Sequence, residues 1–327
     1  MASPHFAERY RANARYIELA RPGDEDLGAL KLLPGTWRNA DGFEGRGWNM
    51  IALPFASGGG KPDYRLLMNQ YNEELKFTLV DKGVPNRGIE KGDPSSNTDQ
   101  LVVTLDYEQM ITQIAAEDSP DSGLAGAPNL AIHHEPGLFL NMTNLTTNGI
   151  DIARLATIPH GDAALALGKS EIIDGAPTIP QISGLPINAP SDINNPYLAP
   201  YKHFADAPFK GLFNPVSPND LLNALPPNVK QTTVLHLDTT IEQGGIRNIP
   251  FVVKQANAAE MQSTFWIMEL EDDGSGTPNL VIAYSQLVLL DFFENPAGEI
   301  IRWPHVSINM MKKASEPDLE KAQMPSV

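Results

Sequence analysis

The sequence predicts an all-β protein, an antiparallel up-and-down β-barrel with an N-terminal helix and a long proline-rich insertion. Three observations predict it. About eleven segments alternate apolar and polar residues with the two-residue period of a half-buried strand. Clusters of Gly, Pro, Asn and Ser separate them as turns. No regular alternation of strand and helix points to a parallel sheet. At 327 residues and 42% hydrophobic, the chain can bury a substantial core, and a single domain over 1–327 is expected.

Residues 5–20 read as a helix, because Phe6, Tyr10, Ala14 and Ile17 recur at spacings of three and four between charged residues. The predicted strands then follow at 47–55, 63–71, 74–81, 100–114, 138–144 and 152–158. Residues 171–230 break the pattern: proline recurs every few residues and no period is sustained. That stretch still holds enough Ile, Leu, Phe and Tyr to pack, so it reads as an ordered insertion rather than a flexible tether. Strands resume at 231–241, 249–256, 261–272, 279–293 and 300–311.

Composition excludes several classes. With no cysteine there is no disulfide, thiolate metal site or cysteine nucleophile, and a reducing cytoplasm is the expected setting. No stretch approaches the apolar length of a membrane helix, and the charged first twenty residues lack the apolar run of a signal peptide. Forty acidic against 24 basic residues give a net charge of −16, which repels phosphate backbones and anionic lipid. A small-molecule partner is therefore expected, with neither nucleic acid nor membrane; nothing in the sequence sets the oligomeric state. The zinc motif H-E-x-x-H and the serine elbow G-x-S-x-G are absent, and "ASGGGKP" (56–62) lacks the first glycine and the Ser or Thr of a phosphate loop.

The final strand, "IIRWPHVSINMM", carries the most specific signal. Alternation puts Trp303, His305, Ser307 and Asn309 on one face and Pro304, Val306, Ile308 and Met310 on the other. A polar face on a buried strand either meets solvent or lines a ligand site, whereas an isolated histidine is as often a hydrogen-bonded core or surface residue. His133 and His134 point to opposite faces, so one of them at most faces an interior. His160, beside Gly161 and Asp162, reads as a turn residue, and His236 and Asp238 share a strand face without further support. No catalytic residue is assigned.

"LLPGTWRN" (32–39) with "GFEGRGW" (42–48), "LAIHHEPGLFL" (130–140) with His133, Glu135 and Gly137, and the terminal "RWPHVSINMM" together resemble the nitrobindin-type haem-binding β-barrels. Those barrels are related in form to lipocalins and fatty-acid-binding proteins. The likeness spans the first 140 residues and the last strand; residues 171–230 have no counterpart in that compact family. It implies a b-type haem with His305 as the iron ligand and with His133, Ser307 and Asn309 about the cofactor. A small molecule such as nitric oxide, peroxide or an organic substrate would meet the iron, and a peroxidase-like activity is compatible with such a site. It also implies that Trp37 plugs one end of the barrel with its indole N–H hydrogen-bonded. Two other functions fit the residues: a lipocalin-like carrier of a fatty acid or other apolar ligand, and a cofactor-free enzyme acting in the cavity.

Overall fold

A computed structural model describes residues 23–56, 63–90, 92–272, 274 and 279–315. The helix expected over 5–20 lies outside the described residues. The strands are β1 (Gly35–Arg38), β2 (Gly47–Phe55), β3 (Asp63–Glu90), β4 (Asp93–Ser119), β5 (Ala131–Met142), β6 (Ile152–Ile158), β7 (Asp162–Asp174), β8 (Val229–Asp238), β9 (Gly245–Asn248), β10 (Asn257–Leu270), β11 (Leu280–Glu294) and β12 (Ile300–Ser315). Two short α-helices accompany them among the described residues, α1 (Ala199–Asp206) and α2 (Pro250–Gln255).

All these strands join one sheet in the order β1-β12-β11-β10-β8-β7-β6-β5-β4-β3-β2, with β9 off the path on β7. This order corrects the up-and-down barrel. β10 lies beside β8 rather than β9, and the two ends of the path, β1 and β2, do not pair with each other. β1 instead bridges β12 and β3, while β12 meets β2 over Val306, Ser307 and Ile308. The consecutive order of ladders that defines an up-and-down nitrobindin- or lipocalin-type barrel is thus replaced by a large antiparallel sheet with cross-pairings at its ends.

Local chemistry explains where elements differ from expectation. The segments 63–71 and 74–81 fuse into β3, because Asn72, Glu73 and Glu74 stay in register with β4 instead of turning. Residues 250–255, rich in Val and Phe, form α2 rather than a strand. Pro250 starts the helix where its missing N–H costs nothing, and none of its residues is buried, so no sheet neighbour rewards an extended form. β7 was hidden by its small residues: Ala164 and Ala166 are buried, but alanine carries little strand signal.

The irregular stretch between β7 and β8 packs on the outer side of the sheet. Trp48 meets Phe209 and Phe213 at ring-centroid distances of 6.1 and 5.7 Å, and Tyr64 meets Tyr197 and Tyr201 at 5.6 and 6.0 Å. Tyr201, Phe204, Phe209 and Phe213 are buried in the same hydrophobic cluster as the strands. Trp37 is fully buried and donates its indole N–H to Leu33 O at 2.9 Å.

Candidate functional site

Both faces of β12 are covered, which the alternation alone could not reveal. Pro304, Val306, Ile308 and Met310 are buried on one side, where Ile187 of the proline-rich stretch bridges Arg302. The polar face looks the other way. Register places Tyr284 opposite Asn309, Gln286 opposite Ser307 and Val288 opposite His305 on β11, and Asn49 of β2 opposite Ser307 on the remaining flank. Strand pairing therefore gathers polar side chains from three strands onto one inward face.

That face has a sealed half. Asn309, wholly buried, donates to Asn39 Oδ1 at 3.1 Å and to Glu73 Oε2 at 2.8 Å. Glu73 also accepts from the Tyr284 hydroxyl at 2.6 Å and from Gln109 Nε2 at 2.8 Å. Tyr71 closes the group, 2.8 Å from the Tyr284 hydroxyl and donating to Ile308 O at 3.1 Å. Burial raises the Glu73 carboxyl above its ordinary range, an effect these donors offset only in part. Asn309 thus holds the core together and does not join the accessible residues.

Two residues further along, the same face opens. Asn49, His133, Gln286, His305 and Ser307 are all partly accessible, and His160 at the β6–β7 turn is exposed. A chain of amides spans this half. Gln113 Nε2 donates to the backbone carbonyl of Ala127 at 2.8 Å, Asn69 Nδ2 donates to Gln113 Oε1 at 2.5 Å, and Asn49 Nδ2 donates to Asn69 Oδ1 at 3.0 Å. Asn49 Oδ1 then faces His305 Nε2 at 2.8 Å and accepts from Ser307 Oγ at 3.2 Å. Burial and the neighbouring imidazoles His133 and His160 push His305 down to about 3, so it is neutral at physiological pH.

A buried ion pair adjoins this half. Arg154 Nη2 donates to Glu135 Oε1 at 2.6 Å, its Nε to the Tyr107 hydroxyl at 3.0 Å and its Nη1 to Gln286 Oε1 at 2.7 Å. Tyr107 in turn donates to Glu135, and His133 Nε2 lies 3.1 Å from Glu135 Oε2. Burial alone would raise the Glu135 carboxyl, but Arg154, His133 and Tyr107 outweigh it and hold it at about 2. The His133 and His160 rings are tilted by 35° with their centroids 6.2 Å apart. Burial and His133 lower His160, while Asp162 opposes them.

This donor set does not fit haem. Among the described residues no group of three or more His, Cys, Asp or Glu is placed to hold a metal ion. His305 Nε2, the ring nitrogen farther from the backbone, is already engaged by Asn49. Haem b, iron at His305 and the metal-binding role are corrected accordingly. The apolar carrier is corrected too: where the inward face is apolar it is filled, with Phe139 in ring contact with Phe77, Tyr107 and Phe265 at 5.5, 5.2 and 5.5 Å. Nor does the cofactor-free enzyme survive, since Glu135 is locked to Arg154 and Glu73 is sealed behind Tyr284, Gln109 and Asn309. Sequence reading missed Asn49, Gln113, Arg154 and Gln286. Asn49 did leave a signal, as the sole hydrogen-bonding side chain besides an indole in "GWNMIALPF".

The fold defines a large antiparallel β protein with a polar inward face. No family model matches the chain, and no curated protein does. Among solved structures it is similar to the "Crystal Structure of Rv2717c from M. tuberculosis", at 14% identity and a TM-score of 0.38, over 88% of this chain and 98% of that one. A likeness that distant assigns neither fold family nor function, and the nitrobindin-type resemblance of the three motifs has no support in it. No helix among the described residues is long and apolar enough to cross a membrane.

Proposed function

We propose that this chain is a binding protein for a small polar molecule, held by the partly accessible side chains of Asn49, His133, Gln286, His305 and Ser307. The carrying observation is the accessibility of these five polar side chains on a face that is otherwise buried or sealed. Buried polar groups with a purely structural role are normally enclosed and fully hydrogen-bonded, as Glu73 and Asn309 are. Partly accessible groups converging from β2, β5, β11 and β12 are the usual makings of a binding site. The absence of cysteine supports a cytoplasmic setting.

A screen of small polar molecules by histidine side-chain NMR tests this. A true ligand shifts the His133 and His305 resonances together, and His305→Ala abolishes its binding while the protein stays folded. Ligands that shift only the exposed His134, His203 or His236 would place binding elsewhere and refute the assignment.

A further inference from the structure

The amide chain beside His305 has a direction, and that direction selects the ligand. It begins at the Ala127 carbonyl, which can only accept, so the nitrogen end of Gln113 must face it. The Gln113 oxygen is then left for Asn69, whose nitrogen must supply the hydrogen; the Asn69 oxygen likewise receives the Asn49 nitrogen. Asn49 is thereby obliged to present its oxygen to His305. A neutral imidazole carries one N–H, and here it sits on Nε2, leaving Nδ1 with a free lone pair. Nδ1 has no hydrogen-bond partner among the described residues and is not one of the enclosed unpaired atoms of the core. His133 stands beside it on β5, its Nε2 3.1 Å from Glu135 Oε2.

Resting on the binding function above, we propose that this polar face recognises a hydrogen-bond donor, a small molecule offering an O–H or N–H group to Nδ1 of His305, and not an anion. Charge agrees with polarity. The guanidinium of Arg154 is neutralised by Glu135, no other Lys or Arg contacts these side chains among the described residues, and the chain as a whole carries −16. An anion would meet lone pairs without a counter-charge, whereas an alcohol, phenol or ammonium group meets acceptors already oriented by the fold.

The test uses the full chain labelled with 15N and long-range 1H–15N correlation of the imidazole rings, which separates protonated from unprotonated ring nitrogens. The free protein should show His305 as the Nε2–H form at neutral pH. Phenol and methylammonium should then move the Nδ1 resonance of His305, while acetate at the same concentration leaves it in place. Asn49→Leu removes the acceptor that sets the tautomer, so the Nδ1–H form should become populated and the donor probes should bind about fivefold more weakly. A hydrogen on Nδ1 in the free wild-type protein overturns the proposal, and that spectrum decides the point even if Asn49→Leu fails to fold. Acetate binding at His305 with proton uptake overturns the ligand class while leaving a binding site. If no probe of either kind moves His133 or His305 while the tautomer is as expected, the binding function falls and takes the ligand class with it.

Discussion

Removing one partner of the Arg154–Glu135 pair should cost far more than a surface ion pair would. Both side chains are almost wholly buried, and Arg154 spends its hydrogen bonds on Glu135, Tyr107 and Gln286. Glu135→Gln keeps the shape but leaves the guanidinium charge buried among neutral acceptors, a change that typically costs about 3–5 kcal/mol. A second route gives a similar figure: a carboxyl held at about 2 instead of 4.5 contributes about 3 kcal/mol at neutral pH. Because the folded-state value is depressed, this stability is fully present above about pH 5 and disappears as pH falls through 4.5 towards 2. Urea unfolding of wild type and Glu135→Gln, with the melting point lowered by on the order of 10 °C at neutral pH, is the assay. The gap between the two proteins should narrow below pH 4.5. The pair Glu135→Leu with Arg154→Met removes both charges, so its loss should be much smaller than the sum of the singles. A Glu135→Gln cost below about 1 kcal/mol, the range of exposed pairs, would refute the reasoning.

Trp37→Ala should destabilise by about 3–5 kcal/mol, since the ring is fully buried and its N–H is satisfied by Leu33; an unchanged melting temperature would remove it from the core. Gly137→Ala should lower the melting point clearly, because a Cβ there would stand 2.2 Å from the Leu155 carbonyl, whereas Gly83→Ala, with open space around it, should be close to neutral. The stretch between β7 and β8 shares its buried aromatics with the strands, so the chain should melt as one unit, and limited proteolysis between 171 and 230 should not release two independently folded halves.

Strand existence was legible where one face is apolar and the other is not. β2 and β6 fall at the expected residues, 47–55 and 152–158. Turn-formers misled where backbone pairing outweighed them: Asn86, Arg87 and Gly88 pair with Gln100, Asp99 and Thr98 inside the long β3–β4 ladder rather than turning between strands. The strand order of the sheet was not legible at all, and the expected barrel failed for that reason, because single-strand periodicity says nothing about which ladder lies beside which; β9 and the β8–β10 pairing depend on contacts across dozens of residues. For the site, alternation along β12 correctly set His305 and Ser307 on one face, and it set Asn309 there too. It could not show that Asn309 is closed off by Glu73 and Asn39 while its neighbours two and four residues away stay accessible.

A polar inward face is an unusual way to build a core, and its two halves solve the problem differently. Around Glu73 every polar group has a partner, so the cost of desolvation is offset and the cluster cements β1, β3, β4, β11 and β12. Around His305 the strands β2, β3, β4 and β12 carry an amide chain that is complete up to its last member and then stops at an unpartnered nitrogen. If that half were only structural, an apolar residue at 305 would be cheaper, since it would release Asn49 Oδ1 to Ser307 and remove an unused acceptor. His305→Leu should therefore be neutral or stabilising in urea unfolding, in contrast to Asn309→Leu, which takes one of its three donors from the buried Glu73 carboxyl and should cost about 1–3 kcal/mol. A large loss of stability in His305→Leu would mean that the imidazole serves the fold, and this half of the face would lose its claim to a ligand.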